Sequence, residues 1–485
     1  MRKGMTFVLA LFIMALTAAV AISAYHHEGE RDSKNFLAIY PKKAGTKLDQ
    51  CSLCHTGGSY ESSPGNWVTL GSCQWCHYKY GYDGSGNIVE TLNPYGKDYH
   101  YHGRNKQAVK AIMNLDSDKD GYSNHEEIAL LRYPGNAKDD PKKIAAPFKV
   151  FTKAQLKKMA QHKEFLLMNT SRSGDFYAEY AGVPMEDLLK RAGIFSNAQS
   201  ITAFSPDGWS TTHPLEPNDS PELYHVNGTY PEAVYQYDPQ ADTAQNPVDG
   251  WCDYSAPSCQ GRNHLDPIMV SGGLKMILAL KREGKDLIPG VLNQDNKLDG
   301  EGPFRIVTPQ KAPCPPDQSS KAQNQGVVWP YNYDWDHNGG FSSRTVTLVR
   351  VEPLPEACTD IDIMEAGWNF VDNEQILVYG AIDSTSTAKE KLNLLLKTVQ
   401  KLRSASFKKP LFKNYLIAQL TKTMKLVQSG SKQEAFKKLK NSILPRMDGC
   451  VRRGQPDAND WIKSCNVQKQ LYWSTKELMT LLNLH

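Results

Sequence analysis

The hydrophobic pattern of this chain falls into four regimes. Phe7 to Ala21 is an apolar run behind Arg2 and Lys3, and it ends in Ala21-Ile22-Ser23-Ala24 before the polar Tyr25-His26-His27-Glu28. A basic start, a short apolar stretch and small residues at its end make a secretory signal peptide, cleaved after Ala21 or Ala24. The run is shorter than the ~20 residues that span a bilayer, which argues against an uncleaved anchor. No Cys sits at the cleavage site, so a lipoprotein is not expected.

From 25 to 147 the chain is polar, with short helices expected over Ala108 to Met113 and Glu126 to Leu131. Pro134-Gly135-Asn136 and Asp139-Asp140-Pro141 then punctuate a boundary. From 148 to 384 the texture is α+β. Arg344 to Val351 alternates like a strand, Gln375 to Tyr379 reads as another, and Met185 to Ala192 is a helix among long loops. From 385 onward the apolar positions recur at three, four or five. They are Leu392, Leu395, Val399 and Leu402; Leu411, Tyr415, Leu420, Met424 and Val427; then Ala435, Leu439 and Ile443. These are helices separated by Pro410 and Gly430. No stretch after the signal peptide reaches membrane-spanning length.

Composition changes the picture in two places. The 485 residues carry a net charge of only +4, which gives no case for nucleic-acid binding by the whole chain. The balance is unevenly spread. Ser384 to Gly449 holds 15 Lys and Arg against three acids, +12, so the rest of the chain sums to −8. Those helices are either a solvated lysine-rich face or a docking surface for an acidic partner, anionic lipid or polysaccharide. The ten cysteines are too sparse for a small disulfide scaffold and need another explanation.

Four of them sit in Cys51-Ser52-Leu53-Cys54-His55 and Cys73-Gln74-Trp75-Cys76-His77. C-x-x-C-H attaches c-type haem: two thiols add to the vinyl groups of one macrocycle edge, and the adjacent His ligates iron. The expected cofactors are therefore two covalent haems with His55 and His77 as proximal ligands. His26, His27, His100 and His102 are candidate distal ligands, and Met113 is the nearest mature methionine. Two other readings of the four thiols stay open. The 18 residues between Cys54 and Cys73 also fit a four-thiolate zinc site, or the thiols form two disulfides. A four-thiolate zinc site has no use for a His after each pair.

Asp116-Ser117-Asp118-Lys119-Asp120-Gly121 followed by Glu127 fills the D-x-[DN]-x-[DN]-G-x5-E pattern. Asp116, Asp118, Asp120 and Glu127 supply carboxylates, Tyr122 a carbonyl, and Asn124 takes the water-bridging position of a calcium loop. The alternative is a solvated acidic turn. The other six cysteines fall as sequential pairs, Cys252 with Cys259, Cys314 with Cys358 and Cys450 with Cys465, expected as disulfides among 15 possible connectivities. Cys314 and Cys358 flank the aromatic stretch Trp329 to Trp335.

Gly182-Val183-Pro184-Met185-Glu186-Asp187-Leu188-Leu189, Asp207-Gly208-Trp209-Ser210 and Gly302-Pro303-Phe304-Arg305-Ile306-Val307 occur in that order. Together they resemble the scaffold of the sulfite-oxidase-type molybdopterin domain. The metal-ligating Cys of that fold precedes its Gly-Val-Pro segment, and no Cys lies between Cys76 and Cys252. The resemblance implies a fold and not molybdenum chemistry. Gly300-Glu301-Gly302-Pro303, both C-x-x-C-H motifs and the Asp-rich loop together resemble the GEGP motif-containing diheme proteins. That resemblance implies haem binding and electron transfer, and no substrate.

The expected architecture is multi-domain α+β. A signal peptide (1–24) precedes a small, mostly helical diheme cytochrome c domain with an EF-hand-like loop (25–147). A sulfite-oxidase-like middle region (148–384) and a basic helical C-terminal domain (385–485) follow. The expected function is electron carriage with redox partner proteins, in the periplasm or beyond, of a Gram-negative bacterium. The alternative is a haem-dependent oxidoreductase with a substrate site in the middle domain; a surface-adhesion protein is the third reading.

Overall fold

The computed structural model describes residues 29–483 except 45, 57, 64–65, 71–74, 77–78, 81–85, 171–173, 207–208, 219–222, 231–234, 241–251, 294–297, 313–315, 317–336, 357, 362–366, 383–387 and 454. The expected signal peptide (1–24), His26, His27, Cys73, His77, Cys314 and the Trp329 to Trp335 run lie outside the described residues. The architecture is multi-domain mixed α/β, and no described helix is long and apolar enough to cross a membrane.

In the N-terminal part, capping side chains decide where helices start. Asn93 accepts from the Gly96 amide and Pro94 takes the first helical position, opening α2 (Pro94–Tyr101) some way after α1 (Gly29–Leu37). Asn105 accepts from the Ala108 amide and opens α3 (Lys106–Ala111). Ser123 and Glu126 form a reciprocal capping box that opens α4 (Asn124–Ala129). Helices α3 and α4 therefore begin two residues before the apolar periodicity suggests. Their apolar faces, with Phe36, Tyr40, Leu48, Tyr95, Tyr99 and Ile128, close a small core.

The middle part is organised by one strand. Every residue of Gln375–Gly380 is buried. Alternate residues of a strand face opposite ways. Ile376 and Val378 enter one core, while Leu377 and Tyr379 enter another. The strand is an interior one in a five-stranded sheet ordered Phe148–Thr152, Gln375–Gly380, Leu348–Glu352, Ser200–Phe204, Ser210–Pro214. Gln375–Gly380 and Leu348–Glu352 pair in parallel; the other pairs are antiparallel. One face of this sheet shares a core with a six-stranded sheet built around His162–Met168, Asp175–Pro184 and Ile277–Arg282. Ile277 lies between Pro184 and Val307, so two segments that carry the molybdopterin-domain resemblance flank one strand. Helix α5 (Met185–Ala192) runs as its spacing predicts and ends at Gly193 in the left-handed region (φ +79°). The expected strand over Arg344 to Val351 starts only at Leu348. Before it, the amides of Thr345 and Val346 bond the carbonyls of Glu301 and Phe304 instead of a ladder.

Helices α6 (Ala388–Lys401), α7 (Pro410–Gln428), α8 (Lys432–Lys438) and α9 (Cys465–Asn483) cover the other face of the five-stranded sheet. Leu392, Leu395, Val399, Leu416 and Leu420 share one core with Phe148, Leu348, Leu377 and Tyr379. Each such side chain contributes roughly 1.5–3 kcal/mol by leaving water. The helical tail thus shares its core with the sheet.

The N-terminal part is docked onto the middle. Ile144–Ala145 pairs in parallel with Cys358–Thr359. Lys47 is fully buried, 4.6 Å from the Tyr133 ring centroid, with Nζ donating to Asp139 (3.0 Å) and to the Thr359 hydroxyl.

Candidate functional site

Cys51–Leu53 is one 3-10 turn, with the amides of Cys54 and His55 both donating to the Cys51 carbonyl (3.1 and 2.8 Å). Asn93 clamps this turn to α2. Its amide donates to the Cys54 carbonyl (2.9 Å) and its Nδ2 to the Leu53 carbonyl (3.0 Å), while its Oδ1 caps the helix. The approach is so close that a Cβ on Gly96 would sit 2.1 Å from the Cys54 carbonyl oxygen. Only glycine fits there.

A cavity of about 790 Å3, its open mouth included, lies on this turn. Cys51, Cys54, His55, Tyr95, Tyr99 and His100 line it, together with Asp32 and Arg104. Cys51 and Cys54 are separate thiols. Burial, followed by the Asp32 charge, pushes the Cys54 thiol up to about 12.

His55 is set up as a ligand by its neighbour. Its Nδ1 lies 2.8 Å from the Thr91 hydroxyl, which donates its own proton to the Ile88 carbonyl (2.7 Å). That hydroxyl has one proton to give, so toward His55 it accepts. Nδ1 carries the hydrogen and Nε2 is left as the bare nitrogen, the arrangement second-sphere partners impose on metal-ligating histidines. Burial lowers the His55 pKa to about 4, which keeps the ring neutral at physiological pH.

Of the candidate distal histidines, the structure brings His100 to the cavity. His102 is exposed at the end of α2, where its Nδ1 donates to the Asp98 carbonyl (2.8 Å). Met113 does not line the cavity. Along the wall, Arg104 grips Asp32 through Nε (2.9 Å) and Nη2 (2.6 Å), and the Tyr99 hydroxyl donates to the same carboxylate (2.8 Å). Of the second motif, Cys76 is a half-buried thiol, and Cys73 and His77 lie outside the described residues.

No family model matches this chain, and no curated protein or solved structure matches it. The site must be read from its own chemistry.

The acidic loop lies next to this wall. Carboxylate oxygens of Asp116, Asp118 and Asp120 converge within 4.8 Å. Gly121 (φ +96°) makes the sharp turn, and its amide donates to Asp116. Glu127 is fully buried and neither carboxylate oxygen has a hydrogen-bond partner; one oxygen each of Asp118 and Asp120 is orphaned too. Burial first, then Asp118 and Asp120, raise Glu127 to about 9. Burial and Asp120 raise Asp118 to about 6. These residues fit a cation. Asn124 departs from its expected water-bridging place. Its Nδ2 donates to the Ile112 carbonyl (2.7 Å) and the Ser117 hydroxyl (2.9 Å), so the side chain is turned inward to tie the loop to the end of α3.

The other sequence motifs have structural settings. Cys450 and Cys465 are joined by a disulfide. Cys252 and Cys259 are both buried, and the bond expected between them is not formed in this structure. Cys252 pairs into a strand beside Asp175, while Cys259 closes a 3-10 turn where it hydrogen-bonds Tyr237. Cys358 is a buried free thiol. In the Gly-Glu-Gly-Pro motif, Glu301 receives Arg282 and Arg305 (both 2.6 Å) and the Tyr180 hydroxyl (3.0 Å). Burial alone would raise this carboxyl, but the two guanidiniums hold it at about 2. A Cβ on Gly302 would meet the Leu287 carbonyl at 2.7 Å. The motif is a buried clamp between strands. In the basic helices, Lys408, Lys409, Lys422, Lys425, Lys432 and Lys437 are exposed. Beside the first of them, Phe412 and Trp461 stack at 5.8 Å, and Lys409 lies over the Phe412 ring.

Sequence reasoning missed Thr91, Asn93, Asp32 and Arg104. Asn93-Pro94 is a readable helix start. The other three come together only through the fold.

Proposed function

We propose that this chain is an exported diheme c-type cytochrome that carries electrons in a periplasmic or extracellular respiratory chain. One observation carries the reading: Cys51, Cys54, His55 and His100 share one cavity, and His55 presents an unprotonated Nε2 held by Thr91. Cys51 and Cys54 would hold one haem covalently, with His55 and His100 as its ligands. Cys73, Cys76 and His77 would hold the second. Bound haem supplies one-electron transfer, and histidine on both sides of the iron favours low potentials.

The chain's own residues do the rest. Asn93 and Gly96 fix the thiol-bearing turn against α2. Thr91 orients the His55 ring. Tyr95 and Tyr99 line the cavity. The exposed lysines of the C-terminal helices, with Phe412 and Trp461 beside them, favour docking of an acidic redox partner.

Intact mass of the protein from a cytochrome-maturing host tests this directly. Two covalent haems are expected, and Cys54→Ala should lose one. A haem-free product carrying zinc would overturn the reading. Carbon monoxide added to the reduced protein separates carrier from oxidoreductase. Binding at both haems would favour an open, catalytic iron.

A further inference from the structure

Asp116, Asp118, Asp120 and Glu127 of the 116–127 loop present four carboxylates. Among the described residues, no cation pairs with any of them. Water does not solvate Glu127, which is fully buried with both oxygens unpartnered. A buried carboxyl with no partner calls for an explanation, and a bound ion supplies one. Every donor is a hard oxygen, and Tyr122 stands at the carbonyl position of the loop. That set and its spacing fit calcium, with its six to eight flexible oxygen ligands, better than magnesium, with its strict octahedron.

The loop also touches the helix that walls the cavity. Ser117, between two of the aspartates, donates its hydroxyl to Asp98 on α2 (2.6 Å). The same hydroxyl accepts from Asn124 (2.9 Å). Helix α2 carries Tyr95, Gly96, Tyr99 and His100, four of the residues lining the cavity. We propose that the 116–127 loop binds one calcium ion through Asp116, Asp118, Asp120, Tyr122 and Glu127. The bound ion holds Ser117 against Asp98 and so braces the cavity wall that bears His100. The calcium site stands without the haem reading; the role of the braced wall rests on it.

The test uses the full chain as purified, freed of metal by a chelator, with calcium chloride and magnesium chloride as probes. Calorimetric titration should give one calcium per chain, with a dissociation constant no weaker than the ~1 mM end of the extracellular range. Magnesium should bind at least about tenfold more weakly, and Glu127→Gln should weaken calcium by about tenfold or more. Hydrogen exchange read on peptides covering 94–102 should slow about fivefold or more when calcium is added. Ser117→Ala keeps every ligand, so it should bind calcium as the native chain does and lose that slowing. A folded native chain that takes up no calcium overturns the site. Calcium uptake with unchanged exchange over 94–102, or slowing that survives Ser117→Ala, overturns the brace. Intact mass on the same sample shows whether haem is attached. A haem-free protein defeats the electron-carrier reading while the calcium titration and the exchange measurement still decide this one.

Discussion

Thr91→Val removes one hydroxyl at nearly constant volume from a fully buried position. Two hydrogen bonds go with it: His55 Nδ1 to Thr91 (2.8 Å) and Thr91 to the Ile88 carbonyl (2.7 Å). An unpaired group at a buried site costs about 1–3 kcal/mol, and two such groups are left. The fold should lose about 2–6 kcal/mol, read as a lower urea midpoint with unchanged slope. The second effect is electronic. A hydrogen bond from Nδ1–H makes the imidazole a stronger base, which favours ferric iron. A tenfold change in the relative affinity of the two iron states equals 59 mV for one electron. Potentiometric titration should therefore show one haem of Thr91→Val raised by about 60 mV, with the other unmoved. Thr91→Ser keeps the hydroxyl and should restore the native potential. If Thr91→Val leaves both potentials at their native values while losing stability, Thr91 is a packing residue and the reasoning about the His55 tautomer is wrong.

Other outcomes follow from the same geometry. His100→Ala should open one ferrous haem to carbon monoxide that the native protein excludes; equal binding before and after would remove His100 from the ligand set. Glu301→Gln leaves the buried Arg305 without its counter-charge and should cost about 3 kcal/mol or more in urea unfolding, while both haems stay attached. His213 is fully buried, with Nδ1 donating to the Tyr224 carbonyl, and burial lowers it to about 4. The unfolded chain takes up a proton near pH 6.5 that the native chain refuses until about pH 4, so stability falls as pH drops through that window. The loss is roughly 3 kcal/mol, and His213→Gln should flatten that limb of the stability-against-pH curve; an unchanged slope would show that other groups govern it.

The sequence revealed the parts of this fold whose cause is local. Helix α5 lies where its spacing put it, because its apolar stripe and Gly193 act within a few residues. The thiol-bearing turn and the acidic loop were legible because their chemistry is written at fixed short offsets. Helix starts were two residues off where Asn105 and Ser123, rather than the apolar positions, set them. The cavity wall was not legible. Asp32, Thr91 and Arg104 meet His55 only after α1, α2 and the 3-10 turn pack together. Cys252 and Cys259 look like a pair by proximity in sequence, yet one enters a strand and the other a turn. Gln375 to Tyr379 read as a strand without saying what would cover each face, since an apolar run fits any buried setting.

That double coverage governs the order in which the molecule can be completed. The sheet's first face closes against sequence that precedes or adjoins it, but its second face waits for α6, α7 and α9. Until those helices arrive, Phe148, Leu348, Leu377 and Tyr379 present a greasy wall to solvent. The other end of the chain waits as well. Lys47 and the Ile144–Ala145 strand find Thr359 and Cys358 only after most of the middle part has been made. A chain emerging from its N-terminus thus presents the Cys51 and Cys54 thiols, with α2 beside them, well before the middle part has been made. Vectorial emergence leaves the turn that bears these thiols open to modification early, and reserves the final seal of the molecule for its last helices.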